Sequence, residues 1–283
     1  PVMFAIAAGD APTVAAQSPA VPGTQGASDA PAAVAPAPLS RDAAFLAAFS
    51  GYEPIYLAAG PREDWNAKFQ VSFKFRFFND EAGLARRFHF LEHLYLGYTQ
   101  TSLWDLGSPS SPFRDTSYKP RLFYSNPESW QMRDFPLRIG FEGGLGHESN
   151  GRGGSESRSI NTLYARPALV IGAPGNWQWT FAPTLVDYVN ADNNPDISDY
   201  RGYVDLYSSL GKADSWQLAA MLRKGQAGRW TSQFDLTYPL RSVALGNLNG
   251  YLLFQFFDGW GESILDYNQR FPAQYRLGLM FVR

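Results

Sequence analysis

The segment KFQVSFKFRFF, residues 68–78, carries the clearest indication of the fold of this chain. Apolar and polar side chains alternate along it from Lys68 to Phe77. The apolar positions are Phe69, Val71, Phe73, Phe75 and Phe77, and the polar positions are Lys68, Gln70, Ser72, Lys74 and Arg76. A period of two is typical of a β-strand with one apolar and one polar face. A strand of about ten residues can cross a bilayer obliquely, whereas strands of soluble sandwiches usually have about five or six.

The same alternation recurs along the chain and predicts about twelve strands. They lie near residues 53–59, 68–78, 90–104, 119–126, 135–149, 157–169, 176–188, 201–211, 215–224, 229–240, 248–258 and 273–283. An even number of strands is usual in single-chain bacterial barrels. Tyr98, Trp104, Trp177 and Trp179 cluster at strand ends, as an interfacial girdle requires. We therefore predict an all-β fold, an antiparallel transmembrane β-barrel over residues 52–283, with a soluble β-sandwich as the alternative.

Composition excludes several other classes of protein. The 283 residues carry a formal net charge of -2, so no basic surplus indicates a nucleic-acid partner. Cysteine is absent, which excludes disulfides and thiolate metal sites. Residues 1–51 are rich in Ala, Pro, Gly, Ser and Thr, and we predict that they form a flexible leader. Within it, the segment RDAAFLAAF, residues 41–49, favours a short helical turn.

The connections between the predicted strands differ in length. If both ends of the chain are periplasmic, the connections 105–118, 150–156, 189–200 and 259–272 face outward. These connections are mostly long and rich in Ser, Asn, Asp and Gly, whereas inward ones such as KADS near residue 212 are mostly shorter. Long loops outside and short turns inside are expected of an outer-membrane barrel.

The segment FPLRIGFEGGLGHESNGRGGSESRSINTLYARP, residues 135–167, carries the side chains with chemistry. His147 and Ser149 share the apolar parity of their predicted strand, and Asn161 shares the apolar parity of the returning strand. Polar side chains that face lipid are costly and therefore indicate function. Ser149 would act as nucleophile, His147 as its base and Asn161 as the group that orients the imidazole. From these residues alone, an ordinary polar loop with glycine turns remains the alternative.

The run HESNGRGGSESRSINTLYAR, residues 147–166, resembles the signature of the outer membrane phospholipase A family. Further matches in family order are GYTQTSLWDL at 97–106, SSPFRDTSYKPRLF at 110–123, DNNPDISDYRGY at 192–203 and GWGESILDYN at 259–268. The resemblance implies a twelve-stranded barrel in the bacterial outer membrane. It implies hydrolysis of the acyl esters of glycerophospholipids, with A1, A2 and lysophospholipase activity, by the triad of Ser149, His147 and Asn161.

The resemblance also implies calcium dependence and activity as a homodimer, with the ion at the dimer interface. The hydroxyl of Ser157 and the backbone carbonyl of Arg152 would be ligands, and Ser110 would reach across from the partner. Oxygen ligands of this kind suit calcium. The backbone N–H of Gly151 would bind the oxyanion, and Gln100 matches the polar residue that hydrogen-bonds across the dimer.

Two residues inside the signature, Glu148 and Ile160, differ from those of some relatives, and no role follows for either. The main functional alternative is a non-catalytic barrel, either a small pore or a structural protein. The lumen discriminates between them, because its Arg, Lys, Glu, Gln and Tyr side chains either pair into a plug or leave a channel.

Overall fold

Twelve antiparallel strands close into a barrel in the computed structural model, which describes residues 41–61, 64–78, 83–242 and 248–283. The described residues form thirteen strands, of which β2 to β13 make up the barrel: β1 Phe49–Gly51, β2 Ile55–Pro61, β3 Trp65–Arg76, β4 Leu94–Asp105, β5 Phe113–Gln131, β6 Leu137–Ser149, β7 Ser159–Ile171, β8 Gln178–Asn190, β9 Val204–Gly211, β10 Gln217–Lys224, β11 Trp230–Pro239, β12 Tyr251–Trp260 and β13 Arg270–Val282. From β2 to β13 each strand pairs with the next, and β13 pairs with β2 to close the barrel. The three residues of β1 pair with β3 beyond the end of β2. The predicted fold class is confirmed.

Helices are short and lie outside the barrel strands. They are α1 Arg41–Ala47, α2 Gly83–Arg87 and α3 Ile197–Arg201, with 3-10 turns at His89–His93, Gly154–Glu156 and Leu240–Ser242. In the described part of the chain, no helix has both the length and the apolar character needed to cross a membrane. The helical turn predicted in RDAAFLAAF is confirmed as α1. The rest of the predicted leader, residues 1–40, lies outside the described residues.

Three strands differ from their predicted bounds for identifiable reasons. The first predicted strand, 53–59, is observed as β2 Ile55–Pro61, which begins after Pro54 because proline cannot donate a ladder hydrogen bond. The short strand β1 Phe49–Gly51 lies within the predicted leader, residues 1–51, so the leader was predicted too long by these three residues. The third begins at Leu94 and not at residue 90, because His89–His93 form a 3-10 turn. The fourth extends over Phe113–Gln131, although Pro120 and Pro127 argue against a long strand, and its register shifts between Asn126 and Trp130.

Charged and polar side chains fill the lumen. Arg276 Nη1 and Lys68 Nζ lie 2.6 and 3.5 Å from Glu262 Oε1, and all three residues are buried from solvent. Nearer the periplasmic end, Arg166 donates to Glu142 at 2.8 Å. Charges in a low-dielectric interior need such partners. The described lumen is therefore a plug of paired groups, which weighs against the pore alternative.

The outer wall is apolar, as the alternation predicts. Exposed side chains on it include Val71, Phe73, Leu96, Leu122, Phe141, Leu145, Leu163, Leu206, Leu218, Phe254, Leu277 and Leu279. An apolar surface of this extent is stable only when another apolar phase covers it. Each of the eight tryptophans lies within one residue of a strand end. This arrangement matches the aromatic girdles that flank the membrane-spanning band of a barrel.

The outward connections pack against one another at one end of the barrel. The connections with these mutual contacts are residues 150–158, 191–203, 225–229 and 261–269, and residues 106–112 form a further connection at the same end. Ile197 and Ile264, from two of them, form a buried cluster with Ile160 and Tyr267. The Tyr267 hydroxyl donates to Asp196, and burial together with this hydrogen bond raises the pKa of Tyr267 to about 12. These contacts cap the lumen beside the ends of β6 and β7.

Candidate active site

The outward ends of β6 and β7 bring His147, Ser149 and Asn161 together. His147 and Asn161 are directly opposite in the antiparallel register, two residues from the pair formed by Ser149 and Ser159. The side chains of His147, Ser149 and Asn161 lie on the same face of the sheet as that of Leu145, which is 56% exposed on the outer wall. The His147 Nδ1 atom is 2.8 Å from Asn161 Oδ1. The structure therefore places the three side chains on the lipid-facing side of adjacent strands.

This contact fixes the chemistry that the imidazole can perform. An amide oxygen only accepts hydrogen bonds, so the His147 Nδ1 atom opposite Asn161 Oδ1 carries the proton. In the neutral ring, Nε2 is then an acceptor. Ser149 stands two residues further along the strand and therefore on the same face. The arrangement is suited to moving a proton from a serine hydroxyl to the ring, while the amide holds the ring in one tautomer.

A buried asparagine shapes the loop that follows Ser149. Asn150 is 5% exposed, and its Oδ1 accepts the backbone N–H groups of Arg152 at 3.3 Å and Arg158 at 3.0 Å. Its Nδ2 donates to the carbonyl of Glu156 at 2.8 Å. One side chain thus closes the loop between β6 and β7. Sequence reasoning missed this role, although asparagine after a strand is a known signal for side-chain-closed turns.

Gly151 occupies a backbone conformation that favours glycine. Its φ is +66°, and an added Cβ would lie 3.2 Å from the ring of Tyr118. Tyr118 is itself opposite Ser149 in the register of β5 and β6. A side chain at this position is therefore disfavoured by both strain and space. Gly151 is exposed and lies two residues after Ser149.

The three predicted calcium ligands lie in two outward connections. Arg152 and Ser157 belong to the 150–158 loop, and the Arg152 guanidinium donates to Glu156 Oε2 at 2.7 Å. Ser110 lies in the 106–112 loop and has a φ of +65°, which is unusual for a residue other than glycine. Two of the ligands therefore share one loop beside Ser149, while the third belongs to a separate loop.

The chemistry of these donors fits calcium. Hydroxyl and backbone carbonyl oxygens are hard neutral ligands, which calcium accepts together with water. The nearby carboxylate of Glu156 is already paired with Arg152. Within the described residues, no group of three or more His, Cys, Asp and Glu side chains forms a metal site of another kind. The donor set thus fits a calcium ion.

Glu148 and Gln100 take different positions relative to this site. Glu148 points into the lumen behind β6, where its carboxylate accepts a hydrogen bond from Arg201 at 2.8 Å. Gln100 lies on the outer wall, in one cross-strand row with Tyr118 and Ser149. Two strand spacings separate Gln100 from Ser149, which is roughly 10 Å. The Glu148–Arg201 pair was not predicted, because the two residues are 53 positions apart in sequence.

Comparisons of sequence identify related proteins. A profile of the family described as phospholipase A1 matches residues 50–281. The putative phospholipase A1 of Neisseria meningitidis serogroup B is 32% identical over 231 residues, which cover 78% of this chain and 56% of that protein. The phospholipase A1 of Escherichia coli K12 is 37% identical over 177 residues, covering 60% of this chain and 56% of that protein. The chain thus spans about half the length of these curated relatives.

Solved structures agree with the sequence comparisons. The outer membrane phospholipase A from Escherichia coli superposes with a TM-score of 0.65 at 29% identity, covering 82% of this chain and 91% of that one. The Salmonella typhi outer membrane phospholipase, solved as a dimer with bound calcium, gives 0.64 at 28% identity with the same coverage. The barrel is a bacterial outer-membrane fold. Since the family profile matches well over half of its length, this chain belongs to the phospholipase A1 family.

Proposed function

We propose that this chain is an outer-membrane phospholipase that hydrolyses the acyl esters of glycerophospholipids, with A1, A2 and lysophospholipase activity. The observation that carries the proposal is the 2.8 Å contact between His147 Nδ1 and Asn161 Oδ1 on the lipid-facing wall, with Ser149 beside it. Polar groups in this location are costly unless they have a function. Membership of the phospholipase A1 family supports the substrate class.

The proposed reaction proceeds through an acyl-serine. Ser149 Oγ attacks the ester carbonyl carbon while His147 Nε2 takes its proton, and Asn161 holds the Nδ1–H of the ring. The N–H of Gly151 donates to the oxyanion of the tetrahedral intermediate. The C–O bond to the leaving group then breaks, and the lysophospholipid oxygen receives the proton from His147. Water attacks the acyl-serine with His147 again as base, which releases the fatty acid and restores Ser149.

Calcium and dimerisation belong to the same proposal. Ser157 would hold the ion through its hydroxyl and Arg152 through its backbone carbonyl, and Ser110 of the partner subunit would complete the protein ligands. When bound, the ion would supply positive charge that stabilises the developing oxyanion. The dimer with bound calcium of the related Salmonella protein supports this arrangement. A monomer lacks one ligand and is expected to be nearly inactive, so the meeting of two barrels would control activity.

The test is fatty-acid release from phospholipid in detergent micelles, with calcium or with a chelator. Ser149→Ala should reduce kcat on the order of 10⁶-fold, as loss of a serine nucleophile does elsewhere. Ser208→Ala is the matched control, because Ser208 is also on the outer wall, where its hydroxyl accepts from Trp179 at 2.9 Å. Wild-type rates from Ser149→Ala would exclude the proposed nucleophile, and full activity in chelator would exclude the calcium requirement.

A further inference from the structure

Glu148 lies between two proposed catalytic residues on β6, yet its side chain faces the lumen. Its Oε2 accepts a hydrogen bond from Arg201 Nη1 at 2.8 Å, and its Oε1 accepts one from Nη2 at 3.5 Å. The two side chains are 14% and 10% exposed. Paired contacts between a guanidinium and a carboxylate fix the relative orientation of both groups. The segment that carries His147 and Ser149 is therefore tied from behind to Arg201.

Arg201 is the last residue of α3 and belongs to the outward connection 191–203, which we call the brace. The brace also holds β7, because Asn194 Nδ2 donates to the backbone carbonyl of Ser159 at 2.8 Å. Asn194 is fully buried. Ser159 is the cross-strand partner of Ser149. One connection therefore contacts both strands at the level of the proposed nucleophile.

Apolar packing fixes the brace at the same place. Ile197 of the brace is buried in one cluster with Ile160 of β7. Ile160 precedes Asn161 and faces inward, just as Glu148 does on β6. The two signature positions without a role in the sequence analysis thus both lie against the brace, on the side of the sheet opposite the catalytic side chains.

We propose that Glu148 and Arg201 are positioning residues, whose ion pair holds the end of β6 so that His147 and Ser149 keep the geometry for proton transfer. This inference rests on the proposed function. Successive side chains of a strand point to opposite faces, so anchoring Glu148 inward aims both of its neighbours outward. A misplacement of about 1 Å at reacting groups can cost about 100-fold in rate.

A second ion pair on the same two strands provides a matched control. Arg166 of β7 donates to Glu142 of β6 at 2.8 Å in the same lumen, and both side chains are buried. Glu142 lies five residues before His147, away from the outward end of the strand. Arg166→Gln and Arg201→Gln therefore each remove one lumen arginine, and each variant leaves one carboxylate of β6 without its arginine partner. Of these two variants, only Arg201→Gln removes the ion pair between β6 and the brace.

The experiment compares wild type, R201Q and R166Q in phospholipid micelles at saturating calcium. It measures kcat, KM and the rate at which a sulfonyl fluoride inactivates each protein, since that rate reports the activation of Ser149 without turnover. For R201Q we expect kcat and the inactivation rate to fall about 100-fold with little change in KM. R166Q should keep most of both rates, even if its barrel unfolds more readily.

E148Q is the second variant, in case R201Q does not fold. It keeps the shape and one acceptor oxygen but loses the charge that strengthens the bond to Arg201, so both rates should fall about tenfold. Equal losses in R201Q and R166Q, or wild-type inactivation rates in folded R201Q and E148Q, would overturn the inference. A wild-type protein that neither hydrolyses phospholipid nor reacts with the sulfonyl fluoride would instead overturn the proposed function.

Discussion

The two faces of β6 hold their polar groups in opposite ways. On the lumen face, Glu142 accepts hydrogen bonds from Tyr52, Arg166 and Tyr164 at 2.7, 2.8 and 3.0 Å. On the outer face, the His147 ring has one side-chain hydrogen bond among the described residues, to Asn161. One strand thus carries a saturated network on one side and a sparsely bonded group on the other.

This difference indicates that the lumen face of β6 contributes to stability and that its outer face contributes to the proposed reaction. Lumen charges such as Glu142 and Arg276 are paired, and removing one partner leaves another charge buried without compensation. The imidazole on the outer wall keeps one nitrogen free, as a base must before it accepts a proton. Substitutions on the outer face should therefore change the rate of hydrolysis without unfolding the barrel. Substitutions in the lumen away from Glu148 and Arg201 should do the reverse.

After loss of the Ser149 nucleophile, the largest effect is expected at His147. His147→Gln removes the base and should lower kcat by about 10²–10⁴-fold. The midpoint of thermal unfolding should not move, because the lumen network is untouched. Fatty-acid release and circular dichroism measure the two quantities. His93→Gln is the control, since His93 contacts Tyr124 near the periplasmic end. A large fall in the unfolding midpoint of His147→Gln would contradict the idea that the outer face of β6 affects the rate and not the stability.

The lumen counterpart is Arg276, which pairs with Glu262 at 2.6 and 3.2 Å and is almost fully buried. Arg276→Met should lower the free energy of unfolding by about 3–5 kcal/mol, because Glu262 loses its shortest ion pair and keeps the longer, 3.5 Å contact with Lys68. Urea unfolding in detergent measures this change. Arg270→Met, on the same strand, removes an exposed pair with Asp258 and should cost less than about 1 kcal/mol. Similar costs for both variants would show that the lumen pairs do not stabilise the barrel.

Much of the barrel could be predicted from sequence because a period of two is a local signal. The inward positions Gln70 and Ser72 and the outward positions Val71 and Phe73 follow from alternation alone, and all four are confirmed. The full length of β5 could not be predicted. Its prolines interrupt the pattern: Pro120 is held in the ladder opposite Tyr98, and Pro127 falls at the register shift between Asn126 and Trp130.

The local part of the candidate site could also be predicted from the sequence. Parity predicts the face on which His147, Ser149 and Asn161 lie, since each belongs to an alternating strand. The Glu148–Arg201 pair was not accessible, because it depends on how a distant connection folds back over the barrel. The alternation of side chains predicts which face of a strand each residue occupies. Partners that are distant in sequence can be identified only once the barrel has closed.

Asn161 is expected to have an intermediate effect. Asn161→Ala removes the acceptor for the Nδ1–H of His147 but leaves the base and the nucleophile, so kcat should fall about tenfold, the value of one hydrogen bond. Asn161→Asp keeps an acceptor oxygen and should lose less. Initial rates at fixed calcium measure both, with Asn176→Ala in a periplasmic turn as control. A loss as large as that of His147→Gln would mean that Asn161 does more than orient the ring.

The smallest effect is expected at Gln100, because its amide already has partners within its own chain. Tyr98 donates to Gln100 Oε1 at 3.1 Å, and Gln100 Nε2 donates to Ser102 at 3.4 Å. A hydrogen bond across the dimer would replace these contacts, so Gln100→Leu should weaken dimerisation by about 1 kcal/mol at most. Sedimentation equilibrium in detergent with calcium measures the change. Leu218→Ala, on β10, alters the outer wall several strands away and should leave the dimer unchanged. Weakening by Leu218→Ala alone would place the interface on the far side of the barrel, where Ser110 of a partner could not reach the 150–158 loop.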